Sequence, residues 1–543
     1  MAQLAHATGA IDSASSLMQR AATNDPDNAK TQYTYGALLL AQGLLDEAAE
    51  PLEQALTLDP SLAEAAVALG NLFRTKGRLV DASYYYERAL AVQPALSEVE
   101  TNLGAVRLSQ GDQQAAIAHH EKAIALKPDF DLAQHNLLLS LHYAEGLDAR
   151  DVFNAHSQWG AKVESAIAPL PLQARADDPE RPLRLGFVSP DFNNHPVSQF
   201  FLPYLLGRKN PDTSVTLYSA SPKRDQVTRA LVENSDCFKQ VEHTSDSELA
   251  GIIAEDRIDI LVDLAGHTAG TRIRAFAYQP APLQMTWIGY PDTTGLNRVS
   301  YRLTDAIADP PGNADKLATE TLYRLPSGFL CYRPPEEAPA IIAKPARDRP
   351  LTFASFNNLS KVTETAIDTW ANLLKGIPGS RLLIKAKTLN DDAVLAGLVS
   401  KFGKSGVSPD RIEVRSHTVG MEAHYAAYNE VDIALDTFPY NGTTTTCDAL
   451  WMGVPVICLA GDRHSARVSA SLLTRLGLEN WIANTPDSYV EIASRAASNR
   501  PQLAELQQGL RSRMRSSSLV DAPHFADEVE SAFRAMWREA CSH

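Results

Sequence analysis

The sequence predicts an α-helical repeat array followed by two α/β halves built on parallel sheets. Three observations carry that reading: a 34-residue period near the N-terminus, short apolar strands alternating with helical stretches from residue 183 onward, and proline-rich seams at 168–182 and 333–350. At roughly 150 residues per domain, 543 residues suggest three or four units. The expected order is a repeat array with capping helices over 1–145, a transition helix and linker over 146–182, a first α/β half over 183–335, a second over 350–500, and a helical tail over 501–543.

Gly36, Gly70 and Gly104 are 34 residues apart, as are Gly43, Gly77 and Gly111. Ala48, Ala82 and Ala116 keep the same step, with Ala55, Ala89 and Ala123, and Pro60, Pro94 and Pro128. Small residues let two antiparallel helices approach closely, and a proline closes the second helix of each pair. The pattern resembles the tetratricopeptide repeat. Gly9, Ala14, Ala21 and Pro26 fit one step earlier, so the chain is expected to open inside a partial first repeat. Past Pro128 the segment HNLLLSLHYAEGL keeps helical apolar spacing without the glycines, as a terminal cap would. Such arrays commonly hold extended peptides on a curved face; a scaffold or oligomerisation arm is the plainer reading. Of Tyr84, Tyr85 and Tyr86, at least one is expected in the core.

In the two later halves, strands are expected over 183–188, 215–219, 258–264, 283–287, 351–356, 381–386, 412–415, 431–436 and 455–459. Strands alternating with helices predict parallel sheets wrapped by helices. Two such domains face to face place a ligand crevice at the carboxyl ends of their strands.

Composition narrows the function. Fifty Lys and Arg against 65 Asp and Glu leave a net charge of −15, which argues against a nucleic-acid partner. Five widely spread cysteines without a C-x-x-C pair exclude a disulfide framework or zinc ribbon and fit a reducing compartment. The first residues lack a basic start followed by an apolar core, so no secretory signal is expected. The longest apolar stretch, 450–461, is too short to span a bilayer. A cytoplasmic protein with no membrane partner is expected.

The chemistry-bearing segment is VDIALDTFPYNGTTTTCDALWMG, where Gly442 and four threonines open a helix after a strand. Glycine permits close backbone approach, and free N–H groups at a helix start favour an anion. Thr443, Thr444, Thr445 and Thr446 therefore read as a diphosphate cradle, with Asp448 one turn on as an acceptor for a ribose hydroxyl; an N-capping run on an ordinary helix is the alternative. Lys361 follows strand LTFASF and can reach a phosphate oxygen, or be a solvated lysine at a helix start. His195 and His267 each follow a strand of the first half, as candidates for proton chemistry or as structural histidines. Walker A and G-x-G-x-x-G sequences are absent, and the D-x-D pairs Asp25/Asp27 and Asp129/Asp131 fall in repeat turns. Neither they nor any H-E-x-x-H supports a metal; positive charge and helix N–H groups are expected to stabilise a leaving diphosphate.

Taken with the repeats, the stretches LRLGFVSPDFNNHPVS, DILVDLAGHTAGTR, QPAPLQMTWIGYPDTTG, FASFNNLSK and LDTFPYNGTTTTCDALWMGVPV resemble the protein O-linked N-acetylglucosamine transferase family, glycosyltransferase family 41, over essentially the whole chain. The closest flavour is that of bacterial members and the plant SPINDLY branch. The resemblance implies a GT-B fold of two Rossmann-like domains. It implies that His195 lies near the donor sugar and α-phosphate, that Lys361 binds the diphosphate with Asn358 beside it, and that Thr444 and Thr445 bind phosphate. Asp448 would bind ribose and His424 would stack near the base. Thr443, Met421 and Ala427 depart from the animal enzyme's pattern at the phosphate and base sites.

The activity this resemblance implies is an inverting transfer of N-acetylglucosamine from UDP-GlcNAc to Ser or Thr hydroxyls of polypeptides, with no metal or other cofactor. GDP-fucose is the competing donor, because SPINDLY-type enzymes with a similar GTTTTC loop use it. A repeat-based interaction protein with an inactive transferase half, and an epimerase of the same architecture, are the other readings. Polypeptide acceptors are expected on the repeats, and a homodimer is an open option.

Overall fold

The structure is a computed structural model that describes residues 11–171, 178–336, 338–342, 349–416, 418 and 420–542. Gly9 and parts of both proline-rich seams (172–177 and 343–348) lie outside the described residues.

The N-terminal third is a rod of paired helices. Ala29–Ala41 packs on Leu45–Leu58, Ala63–Thr75 on Leu79–Val92, and Ser97–Ser109 on Gln113–Leu126. Each column of small residues has a physical job. Gly43, Gly77 and Gly111 take φ of 77°, 75° and 80° in the turns between paired helices, a left-handed conformation that strains other residues. Gly36, Gly70 and Gly104 lie under a large side chain of the second helix, namely Leu52, Tyr86 and His120. The six alanines of the two alanine columns are fully buried. Among the three consecutive tyrosines, Tyr86 is fully buried and donates to Asn71 Oδ1 at 2.7 Å, Tyr85 stacks on Phe73, and Tyr84 is exposed. Helices Asp131–Leu141 and Ala149–Ala166 close the rod against the first α/β half.

That half is a seven-stranded sheet: β1 (Leu183–Ser189), β2 (Thr213–Ser219), β3 (Cys237–Gln240), β4 (Ile260–Asp263), β5 (Leu283–Thr286), β6 (Tyr301–Thr304) and β7 (Thr321–Arg324). Its strand order is 3-2-1-4-5-6-7. The second half holds β8 (Thr352–Ser355), β9 (Arg381–Lys385), β10 (Ile412–Arg415), β11 (Ile433–Leu435), β12 (Val456–Leu459) and β13 (Ile482–Ala483), in the order 10-9-8-11-12-13. The paired strands run parallel throughout both sheets. The chain reverses its direction of winding between β1 and β4, and again between β8 and β11. Crevices open at such switch points, beyond the carboxyl ends of the strands.

Four short strands, β3, β6, β7 and β13, add to those expected from the sequence. Each has two to four residues, and β3, β7 and β13 sit at sheet edges, where burial on one side leaves little apolar pattern to read. The C-terminal segment is also more than a tail. Arg500–Arg515 packs on the second half, but Ala522–Ser542 crosses back onto the first. There Tyr204 donates to Glu530 at 2.8 Å, and Phe533 and Trp537 are fully buried. The last helix thus fastens the two halves together. None of the described helices is long and apolar enough to cross a membrane.

A β-carbon at Gly70 would stand 2.5 Å from the Tyr86 ring. Gly70→Val is therefore expected to destabilise the rod by about 1–3 kcal/mol through overpacking. Gly251, whose β-carbon would meet nothing, should accept Ala with a gain of up to about 1 kcal/mol. Thermal unfolding followed by circular dichroism compares the two; equal effects would contradict the packing argument.

Candidate active site

The cradle grows from the carboxyl end of β11. Asp436, 1% exposed, accepts through Oδ1 from Thr437 N at 2.9 Å and Gly442 N at 2.7 Å, with Asn357 Nδ2 at 3.4 Å. The loop closes on that carboxylate and feeds the helix Thr444–Trp451. A β-carbon at Gly442 would collide with the Thr445 and Thr446 hydroxyls, so the backbone there comes as close to its neighbours as glycine allows. Thr445 donates to Asn357 Oδ1 at 2.9 Å, and Thr446 pairs with Ser469 at 2.8 Å. Thr443 is the N-cap residue but makes no side-chain cap bond. The hydroxyls of Thr443 and Thr444 remain without a protein partner among the described residues. Two spare hydroxyls over the free N–H groups of a helix start are what a diphosphate needs.

Lys361 closes the cradle from the β8 side. The one-turn helix Leu359–Lys361 brings its Nζ 2.8 Å from the Asn441 carbonyl, and the ammonium lies 4.2 Å from the Tyr440 ring centroid. Burial lowers its pKa to about 8, against the pull of Asp436. Tyr440 in turn stacks on Tyr143 of the rod's capping segment, with centroids 4.8 Å apart. The rod also donates from Gln113 to the Ser360 carbonyl at 2.9 Å and accepts from Thr365 N at Glu145, also at 2.9 Å. Asn358 is exposed and caps the turn through Ser360 N, while its neighbour Asn357 receives Thr445 in the cradle.

One helical turn beyond the threonines, Asp448 accepts from Tyr332 at 2.6 Å, while its Oδ2 lies 3.8 Å from His424 Nε2. His424 Nδ1 faces Lys385 Nζ at 2.9 Å, and the rings of Phe356, Tyr425 and Tyr428 surround it. Lys385 ends the apolar strand β9, and burial lowers its pKa to about 8. A planar base with a carbonyl fits this aromatic setting, with Lys385 as donor. Sequence reasoning missed Lys385, although a lysine closing RLLIK beside a switch point is a legible signal.

His195 caps the helix Pro196–Gly207 at the end of β1, its Nδ1 accepting from Val197 N at 3.3 Å with Asp191 at 3.5 Å. Burial, with Lys223 nearby, lowers its pKa, so the ring is neutral near pH 7. With Nδ1 occupied, the neutral ring carries its proton on Nε2 and acts outward as a donor. Burial pushes Asp191 up to about 6, against the pull of Lys223.

His267 does not meet the expectation of a catalytic role. It is 1% exposed, shares a hydrogen bond with His135 at 2.9 Å, and places Nε2 2.9 Å from the Thr294 carbonyl. Trp159 and Tyr290 enclose the ring, and burial holds its pKa well below the ordinary value. Both ring nitrogens are used in joining the rod to the first half. Among the described residues no group of three or more His, Cys, Asp or Glu side chains is arranged to hold a metal ion.

The repeat rod and the two facing parallel α/β sheets define a GT-B architecture carrying tetratricopeptide repeats. The chain belongs to glycosyl transferase family 41, whose model matches residues 163–332 and 345–529; a tetratricopeptide-repeat model matches 1–63 and 36–96. Among curated relatives, the probable UDP-N-acetylglucosamine–peptide N-acetylglucosaminyltransferases SPINDLY of Solanum lycopersicum and Arabidopsis thaliana are each 40% identical over 75% of this chain. The chain spans 44% and 45% of their lengths, under half of each. A mutant O-GlcNAc transferase of Thermobaculum terrenum, 33% identical, superposes with a TM-score of 0.87 over 95% of this chain and 99% of its own.

Because the unliganded Lys361 titrates near 8, the cradle loses its cation as pH rises through that value. Binding of a nucleoside diphosphate should weaken by up to about tenfold between pH 7 and 9. Calorimetry across that range should show the fall in wild type and a flattened profile in Lys361→Arg. A profile that survives there and flattens in Lys385→Arg would move the titration to Lys385.

Proposed function

We propose that the protein is an inverting O-glycosyltransferase that moves N-acetylglucosamine from UDP-GlcNAc to Ser or Thr hydroxyls of polypeptides. The observation that carries this reading is the cradle: Lys361 held at the Asn441 carbonyl, beside a helix start with two unpartnered threonine hydroxyls. The names of the 40%-identical relatives supply the donor and acceptor class. In the step itself, the acceptor hydroxyl oxygen forms a bond to the anomeric carbon as the sugar–phosphate bond breaks; the nucleoside diphosphate leaves with the electron pair, and the hydroxyl proton passes to water. Lys361, the cradle N–H groups and the Thr443 and Thr444 hydroxyls meet that charge without a metal. His195, protonated at Nε2, serves as a hydrogen-bond donor to the sugar diphosphate. Asp448 receives the ribose, with Tyr332 and His424 orienting its carboxylate.

The rod contacts the Lys361 segment directly through Gln113 and Glu145, so an acceptor lying along it ends beside the reacting phosphates. A reducing, cytoplasmic setting belongs to the same reading, since none of the five cysteines forms a disulfide.

Lys361→Ala is expected to cut turnover by about 10²–10³ with the fold intact by circular dichroism. Normal turnover would remove its role. Chelator in the assay should leave the wild-type rate unchanged. Thermal shift against UDP and GDP decides the donor: stabilisation by UDP is expected, about 2.7 kcal/mol at a hundredfold excess over Kd, whereas stabilisation by GDP alone would transfer the reading to GDP-fucose.

A further inference from the structure

Behind the donor loop, where the two halves meet, lies a separate cavity of about 200 Å3 that shares no residue with the cradle. Its walls come from the first half at Asp292, Arg302 and Asp309, and from the loop after β12 at Arg463, His464 and Arg467. Three aspartates and three arginines line it, but they are not evenly paired. Arg463 is only 7% exposed, yet its guanidinium makes no hydrogen bond or ion pair among the described residues, and Nε and Nη1 are enclosed without an acceptor.

The nearby carboxylates are engaged elsewhere. Asp309 takes Arg302 Nη2 at 2.9 Å on one oxygen, and His464 Nδ1 at 2.7 Å together with the Thr304 hydroxyl on the other. Asp292 accepts from Thr293 N and stands 3.7 Å from His142. Asp462 is exposed at the rim. Arg467 donates to the carbonyls of Ile307 and Gly461 at 2.8 and 2.9 Å, and Arg302 keeps its own Nε and Nη1 without acceptors. A buried guanidinium with no counter-charge is among the most unfavourable arrangements a fold can contain. Water filling the cavity would satisfy N–H groups but leave the charge uncompensated.

We propose that this cavity binds a small oxyanion of the phosphate class, with Arg463 as its principal cation and Arg302 beside it. A planar guanidinium fork matches two oxygens of such an anion, and the volume suits a phosphate with a few waters rather than a nucleotide. The ligand would link the halves, since Arg302 and Arg463 come from opposite sides. It would also bear on the cradle through a short backbone path. Ser465, two residues beyond Arg463, accepts from Asn441 N at 2.8 Å, and the Asn441 carbonyl holds Lys361. The site stands on its own geometry and does not depend on the identity of the donor.

The test is a thermal shift of the full chain in inorganic phosphate against chloride at matched ionic strength, for wild type, Arg463→Met and Lys361→Ala. Phosphate is expected to raise the wild-type Tm by about 2 °C. The response should persist in Lys361→Ala and disappear in Arg463→Met, which should be at least as stable as wild type in chloride. No wild-type response, or a response lost in Lys361→Ala but kept in Arg463→Met, would overturn the site; the second outcome assigns phosphate to the donor cradle. If Arg463→Met does not fold, Arg463→Lys keeps the charge without the fork and should lose at least half of the response. An undiminished response in that variant would equally overturn the proposal.

Discussion

The Asp436 carboxylate at the end of β11 accepts backbone N–H groups from both ends of the loop beyond that strand, at Thr437 and Gly442, and steadies the Asn357 amide that receives Thr445. Because this carboxylate is buried, its hydrogen bonds are not diluted by water, and the loop has one well-defined shape. That shape sets where the helix Thr444–Trp451 begins and so where its free N–H groups point. It also places the Asn441 carbonyl under Lys361 and adds the negative charge that opposes the drop in that lysine's pKa. The shape of the threonine loop is therefore a consequence of one buried carboxylate oxygen, Asp436 Oδ1, rather than of the four threonines alone.

The rod is part of the same construction. Its capping segment contributes Tyr143 to the stack on Tyr440, and its inner edge hydrogen-bonds the backbone around Lys361. On its other side, His135 and His156 meet His267 and Tyr290 of the first half in a fully enclosed cluster. Neutral imidazoles serve well there, each offering one donor and one acceptor without a charge to bury. The repeats thus double as the strut that sets the two α/β halves against each other, and the last helix ties the halves together from the far side.

Burial shapes the electrostatics at each candidate residue. Lys361 and Lys385 are lowered toward neutrality by partial removal from water, while His195 is kept neutral beside an Asp191 pushed up to about 6. His195 and Lys361 follow the strands β1 and β8 that border the two switch points, and Lys385 closes the neighbouring strand β9. The acidic balance of −15 is a sum over the whole chain, buried carboxylates such as Asp263, Asp309 and Asp436 included. The few cations that matter lie inside, at the cradle and at the seam around Arg463.

Periodicity alone determined the rod, because identical packing every 34 residues demands the same small residues each time: glycine under a large side chain, glycine in a left-handed turn, alanine in the contact. Strand–helix alternation determined the two parallel sheets, and the Gly442–Thr446 run marked the cradle, since those residues act on chain neighbours. Three of the four strands that escaped, β3, β7 and β13, lie at sheet edges and are incompletely buried, so they carry little apolar pattern. Only the tertiary structure separated the two histidines: His195 and His267 both come after strands, but one caps a helix at the crevice and the other is enclosed against the rod. It likewise brought Lys385 to His424 and left Arg463 without a hydrogen-bond or ion-pair partner among the described residues. Those outcomes depend on contacts between segments far apart in the chain, which no local pattern of residues encodes.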